Sequence, residues 1–199
     1  DKAMSNRLPA VWRIPFLVTL CLICVVLTPA QRRDYLTEQE VEIVRDAQDI
    51  DARIDMLVKM IDRRFHVLGV NVNGWKDAAK PSEVWGDLPK GSRPELFNDI
   101  KKILQKAVDD IDNLAANPNA APIREKGDKR AKKDPDRFPA AVRELAAASR
   151  RYMPPLKAEL DRSKDEMEKG SIIDTLELCE QIIAAVDKLP PEVKKAKNR

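Results

Sequence analysis

The sequence predicts an all-α protein: a mostly antiparallel four-helix bundle behind an N-terminal apolar segment. Three observations carry that expectation. Of 199 residues, 35% are charged and 5% aromatic, with only 6 glycines, a balance that suits charged helices more than sheets. Apolar residues recur in steps of three and four along four separate stretches. Three of those stretches open on helix-start chemistry: Thr37 with Glu40, Ser92 with Glu95, and Ser171 with Asp174.

The N-terminus has the layout of an export signal. Arg7 and Arg13 precede an apolar run from Ile14 to Thr28, and Thr28-Pro29-Ala30 offers small residues for cleavage before Gln31. The alternative is a signal anchor. Ile14 to Ala30 is long enough to span a thin bilayer, and Arg32 and Arg33 follow directly. Residues 1–30 are therefore read as signal peptide or anchor. Formal net charge is +3; losing Lys2, Arg7 and Arg13 together with Asp1 leaves about +1. That is too little for a nucleic-acid partner, which needs a strongly basic face. Cys21 and Cys24 lie in the apolar run, so Cys179 is the single cysteine of the exported part and no internal disulfide forms there.

The first helix is expected over 37–68. Thr37 and Glu40 make a capping box, Leu36 and Val41 a hydrophobic staple, and Gly69 a C-terminal cap. Its stripe is Ile43, Ala47, Ile50, Ile54, Leu57, Ile61, Phe65 and Leu68. A stripe that long needs partner helices. Leu36-Thr37-Glu38-Gln39 resembles part of the Leu-Thr-x-x-Gln motif of small periplasmic helical chaperones. The glutamine comes one residue early, however, and staple plus cap account for the pair, so no family is assigned.

Residues 69–92 form a long connection carrying Gly69, Gly74, Gly86 and Gly91 and the tryptophans Trp75 and Trp85. Two readings stand: the indoles fold back and plug the open end of the bundle, or they form a partner-binding lip. The second helix, 94–116, has a seam of Phe97, Ile100, Leu104, Ala107, Ile111 and Leu114. Asp109, Asp110 and Asp112 near its end diverge around the axis and read as a solvated acidic face, not a metal site.

Residues 117–135 make a second long connection. Arg124, Lys126, Lys129, Arg130, Lys132 and Lys133 give it a basic patch that suits an anionic lipid or acidic surface, or a solvated loop. It lacks the interleaved aromatics that stack on bases. The third helix, 136–168, is striped by Phe138, Val142, Leu145, Ser149, Tyr152, Leu156, Leu160 and Met167, and a kink or short break is expected at Pro154-Pro155. The fourth, 172–189, carries Ile172, Leu176, Cys179, Ile183 and Val186; a basic tail, 190–199, follows.

Catalytic chemistry is not legible. His66 is the single histidine, and Asp62 stands four residues before it on the same face. There is no paired Glu-x-x-His set, phosphate-cradling glycine motif or nucleophile elbow. A b-type haem would have to use His66 with Met56, Met153 or Met167. The expectation is thus a non-catalytic protein without metal or cofactor, periplasmic or secreted, that binds a protein partner as a scaffold or accessory subunit of the cell envelope. The alternatives are a single-span subunit anchored through 14–30 beside an integral complex, and the haem bundle.

Overall fold

A computed structural model describes residues 33–117 and 136–190. The N-terminal segment 1–30, the basic patch from Arg124 to Lys133 and most of the basic tail lie outside the described residues. Within them the protein is all-helical: α1 (Glu38–Asp46), α2 (Ile50–Val67), α3 (Arg93–Ala116), α4 (Arg137–Arg162) and α5 (Glu166–Ala185), then a short 3-10 turn, Val186–Lys188. No strand occurs among the described residues; one isolated bridge pairs Ser82 with Gly86.

Local chemistry explains most of the ends. Thr37 Oγ1 accepts from Glu40 N at 3.2 Å, and Thr37 N donates to Glu40 Oε2 at 3.0 Å, the reciprocal capping box. Ser92 and Glu95 repeat it at α3. Gly69, at φ 72, follows α2; its N–H donates to His66 O and that of Val70 to Phe65 O, a Schellman motif. A Cβ at Gly69 would meet nothing, so the backbone angle alone calls for glycine there.

Three expectations are corrected. The long first helix is two helices, broken at 47–49, and α1 doubles back on α2. Glu40 pairs with Arg64 at 2.5 Å, whereas in one straight helix those residues would stand about 36 Å apart. The buried ion pair overrides an apolar stripe that runs unbroken through the turn. The second correction concerns the short break at Pro154 and Pro155, which does not occur: both prolines lie inside α4 without ending it. Tyr152, Leu156 and Glu159 on the same helix are buried, and that packing offsets a proline cost of about 3 kcal/mol. The third is the boundary between the last two helices, which falls at 163–165 and not at Gly170-Ser171. Asp165 accepts from Glu168 N at 2.9 Å and is the better cap, while Ser171 is buried inside α5.

α2 lies beside α3 and α4, and α5 lies beside the same two helices. One core fills the space between them, built on Ile54, Leu57, Met60, Ile61 and Phe65 of α2, Phe97, Ile100 and Leu104 of α3, Leu145, Tyr152 and Leu156 of α4, and Ile172 and Cys179 of α5.

Candidate functional site

Residues 69–92 are fastened to the side of α2 by two neighbouring charged residues that the helix buries. Asp62 is 3% exposed. Its Oδ2 accepts from Trp75 N at 2.7 Å, and its Oδ1 accepts from Tyr152 Oη at 2.9 Å and Arg151 Nη1 at 3.1 Å. A buried carboxylate needs such a set, because an unpaired charge there would cost far more than the contacts supply. Burial, then the Asp62 charge, pushes the Tyr152 hydroxyl well above its ordinary range, so it stays a donor. Gly74 makes the approach possible. A Cβ on it would lie 2.3 Å from Asp62 Oδ2 and 2.5 Å from Arg151 Nη1.

Arg63 is 0% exposed and holds the other half of the loop. Its Nη1 donates to Trp85 O at 2.7 Å, and its Nη2 to Asp87 O at 2.5 Å and Gly86 O at 3.3 Å. Its guanidinium carbon sits 5.4 Å from the Trp85 ring centroid. Burial lowers the Arg63 pKa, opposed by the Glu40 carboxylate; a guanidinium keeps its proton regardless. Gly86, at φ 60, closes the turn on Gln39 of α1, whose side chain a Cβ there would meet at 2.9 Å.

Arg64 points the other way, to α1. It forks onto both oxygens of Glu40, at 2.5 and 2.6 Å, and donates to Tyr35 O at 2.7 Å. Glu40 thus caps α1 and neutralises Arg64 at once. The Nε of Arg63 and of Arg64 is buried without a partner.

The outcome is a shelf on α2. Trp75 and Trp85, far apart in sequence, bring their ring centroids to 4.9 Å at a 45° tilt. Lys59 Nζ stands 5.9 Å from the Trp75 ring. Both indoles are half-buried. Beside them opens a cavity of about 280 Å³ with Asp62, His66, Val72, Gly74, Trp75 and Ala78 in its wall. That is near the lower end for small-molecule sites, roughly 300–1,000 Å³.

The two sequence-predicted tryptophans are therefore brought together, and they clad the second half of α2 through Lys59, Asp62 and Arg63. Asp62 and His66 both line the cavity, but Asp62 is committed to Trp75, Tyr152 and Arg151, and His66 is exposed. Met56, Met153 and Met167 are absent from the wall, and Met167 is 78% exposed. Asp110 pairs with Lys106 and Asp109 with Gln105. Among the described residues no group of three or more potential ligands converges on a metal position. No described helix is long and apolar enough to cross a membrane.

Sequence reasoning missed Arg63, Arg64 and Arg151. One signal was available: Arg64 stands three residues after Ile61 and seven after Leu57, on the apolar stripe, where a charge must find a buried partner. Nothing comparable marks Arg151. Neither protein-family models, nor curated protein sequences, nor solved structures match this chain.

Proposed function

We propose that this is a non-catalytic, exported protein of the cell envelope, built on an antiparallel four-helix bundle, that acts by binding a protein partner through the Trp75–Trp85 shelf. One observation carries the reading: two half-buried indoles held in fixed mutual geometry by buried Asp62 and Arg63. Aromatic anchors on a rigid support are what binding hot spots are made of, because the ordering cost is met in folding and not on association. The basic patch at 124–133 adds a second contact for an anionic lipid surface.

The test is quantitative cross-linking in envelope extracts, comparing wild type with Trp75→Ser/Trp85→Ser of unchanged helicity. A partner recovered at least about tenfold less with the variant supports the shelf; equal recovery removes it. A second reading, a single-span anchored subunit, is supported by the apolar run Ile14–Ala30 with Arg32 and Arg33 behind it. Mass spectrometry of the mature N-terminus decides between the two: a chain beginning at Gln31 has lost the anchor.

A further inference from the structure

The turn between α1 and α2 is not written into its own residues. Asp46, Ala47, Gln48 and Asp49 include neither glycine nor proline, and alanine is the strongest helix former. The apolar stripe passes through it in helical steps, Ile43, Ala47, Ile50, Ile54. The Asp49 carboxylate accepts no capping hydrogen bond from the first N–H groups of α2, and Ala47 ends α1 at φ −76, ψ 80, outside the usual left-handed stop. Only Asp46 and Asp49, weak helix formers, speak locally against one continuous helix over 38–67, so the bend is not enforced by its own residues.

Tertiary contacts oppose it. The bend is held by the Arg64 fork on Glu40, by Arg64 on Tyr35 O, by Arg53 Nε on Ala47 O at 2.8 Å, and by the Arg137–Asp49 ion pair. The strongest of these, Glu40–Arg64, joins α1 to a site on α2 that any copy of the chain also carries. A segment with two good conformations, and a docking site that does not care which copy fills it, is what arm exchange requires.

We infer that α1 is an exchangeable arm: the 47–49 turn straightens into a continuous helix, and two copies dock α1 reciprocally, Glu40 of each on Arg64 of the other. The exchange keeps the capping box and the buried ion pair. It trades the bend for helical bonds and closes as a two-fold dimer with no open end. The inference does not rest on the Trp75–Trp85 shelf: Asp62 and Arg63 keep their own chain's loop, and only Gln39, which the Gly86 turn approaches, would come from the other copy.

The test uses charge reversal in the full chain, kept in mild detergent. Glu40→Arg alone sets two guanidiniums together, and Arg64→Glu alone sets two carboxylates together. In an exchanged heterodimer of the two, both arms meet an opposite charge. Co-refolded, they are expected to give a 1:1 dimer by native mass spectrometry, with a melting temperature near wild type and well above either chain alone. Failure to pair, with Glu40→Arg/Arg64→Glu in one chain folding normally, overturns the inference. The hinge gives an independent reading: Gln48→Ala/Asp49→Ala should raise the dimer association constant roughly thirty-fold, at about 1 kcal/mol per hinge and two hinges per dimer. Gln48→Pro should abolish the dimer. A hinge variant that stays as monomeric as wild type at every concentration also overturns it.

Discussion

Glu144→Gln is the substitution whose effect should change most with pH. Glu144 stands half-buried on α4, facing Asp51, Asp55 and Lys59 of α2. Burial first, then the Asp55 charge, lifts its carboxyl from 4.5 to about 7, with Lys59 pulling the other way. Lys59 is already engaged with Asp55 at 2.6 Å, so it neutralises Glu144 only in part.

A carboxyl raised in the folded state binds its proton more tightly there than in the unfolded chain. Its contribution is therefore fully present below about pH 4.5, falls as pH rises toward 7, and is gone above that. Taken at full value, such a shift is worth about 3.4 kcal/mol at 1.36 kcal/mol per unit. The side chain is half-exposed and screened, so about 1–2 kcal/mol is expected. Urea unfolding at pH 5 and pH 8 measures it. Wild type should lose most of that amount relative to Glu144→Gln between the two values. An identical pH 5-to-8 change in both proteins would refute a raised Glu144 carboxyl.

Gly74→Ala should cost about 2–4 kcal/mol and red-shift tryptophan emission, because the new methyl occupies the place of Asp62 Oδ2 and the loop must lift away. Arg63→Ala should cost about 3 kcal/mol by leaving the Trp85, Gly86 and Asp87 carbonyls without their donor; denaturant titration followed by Trp fluorescence reports it. Glu40→Gln should destabilise by about 3–5 kcal/mol, since it strands a guanidinium that is 1% exposed, while Glu40→Met/Arg64→Met should be near neutral. Cys179 is buried and its thiol is pushed up to about 11, so iodoacetamide should label it at least about a hundredfold more slowly in native than in unfolded protein.

The helices were legible because their signals are local. Thr37 with Glu40, Ser92 with Glu95 and the Gly69 stop act within one turn, and the stripes of α2 and α3 name most of their core side chains, though not Val58 and Met60. The errors share one cause. At 47–49, at Pro154-Pro155 and at Gly170, long-range contacts overrule what the neighbouring residues prefer: an ion pair between residues 40 and 64, burial of Tyr152 and Leu156, and an Asp165 cap that competes with Ser171. The site was half legible. Two tryptophans in a long loop announce a shelf, but the periodicity of α2 does not reveal that Asp62 and Arg63 both turn inward to fix it.

That placement of charge explains why the loop has a shape at all. Residues 69–92 contribute little to the apolar core beyond Val72, Ala78 and the edges of Val70 and Trp85, so hydrophobic burial alone would leave them many conformations. A buried charge has far fewer acceptable partners than a buried methyl, because every misplaced arrangement strands it. Asp62 is satisfied by one backbone N–H and two side chains, and Arg63 by three successive carbonyls, so the backbone at both ends of the Trp75–Trp85 pair is fixed. Arg64 does the same for α1 through Glu40. Three consecutive residues, 62 to 64, thus each pin a different stretch of chain to α2. The core holds the helices together, and this ionic triplet decides where α1 and the 69–92 loop must sit.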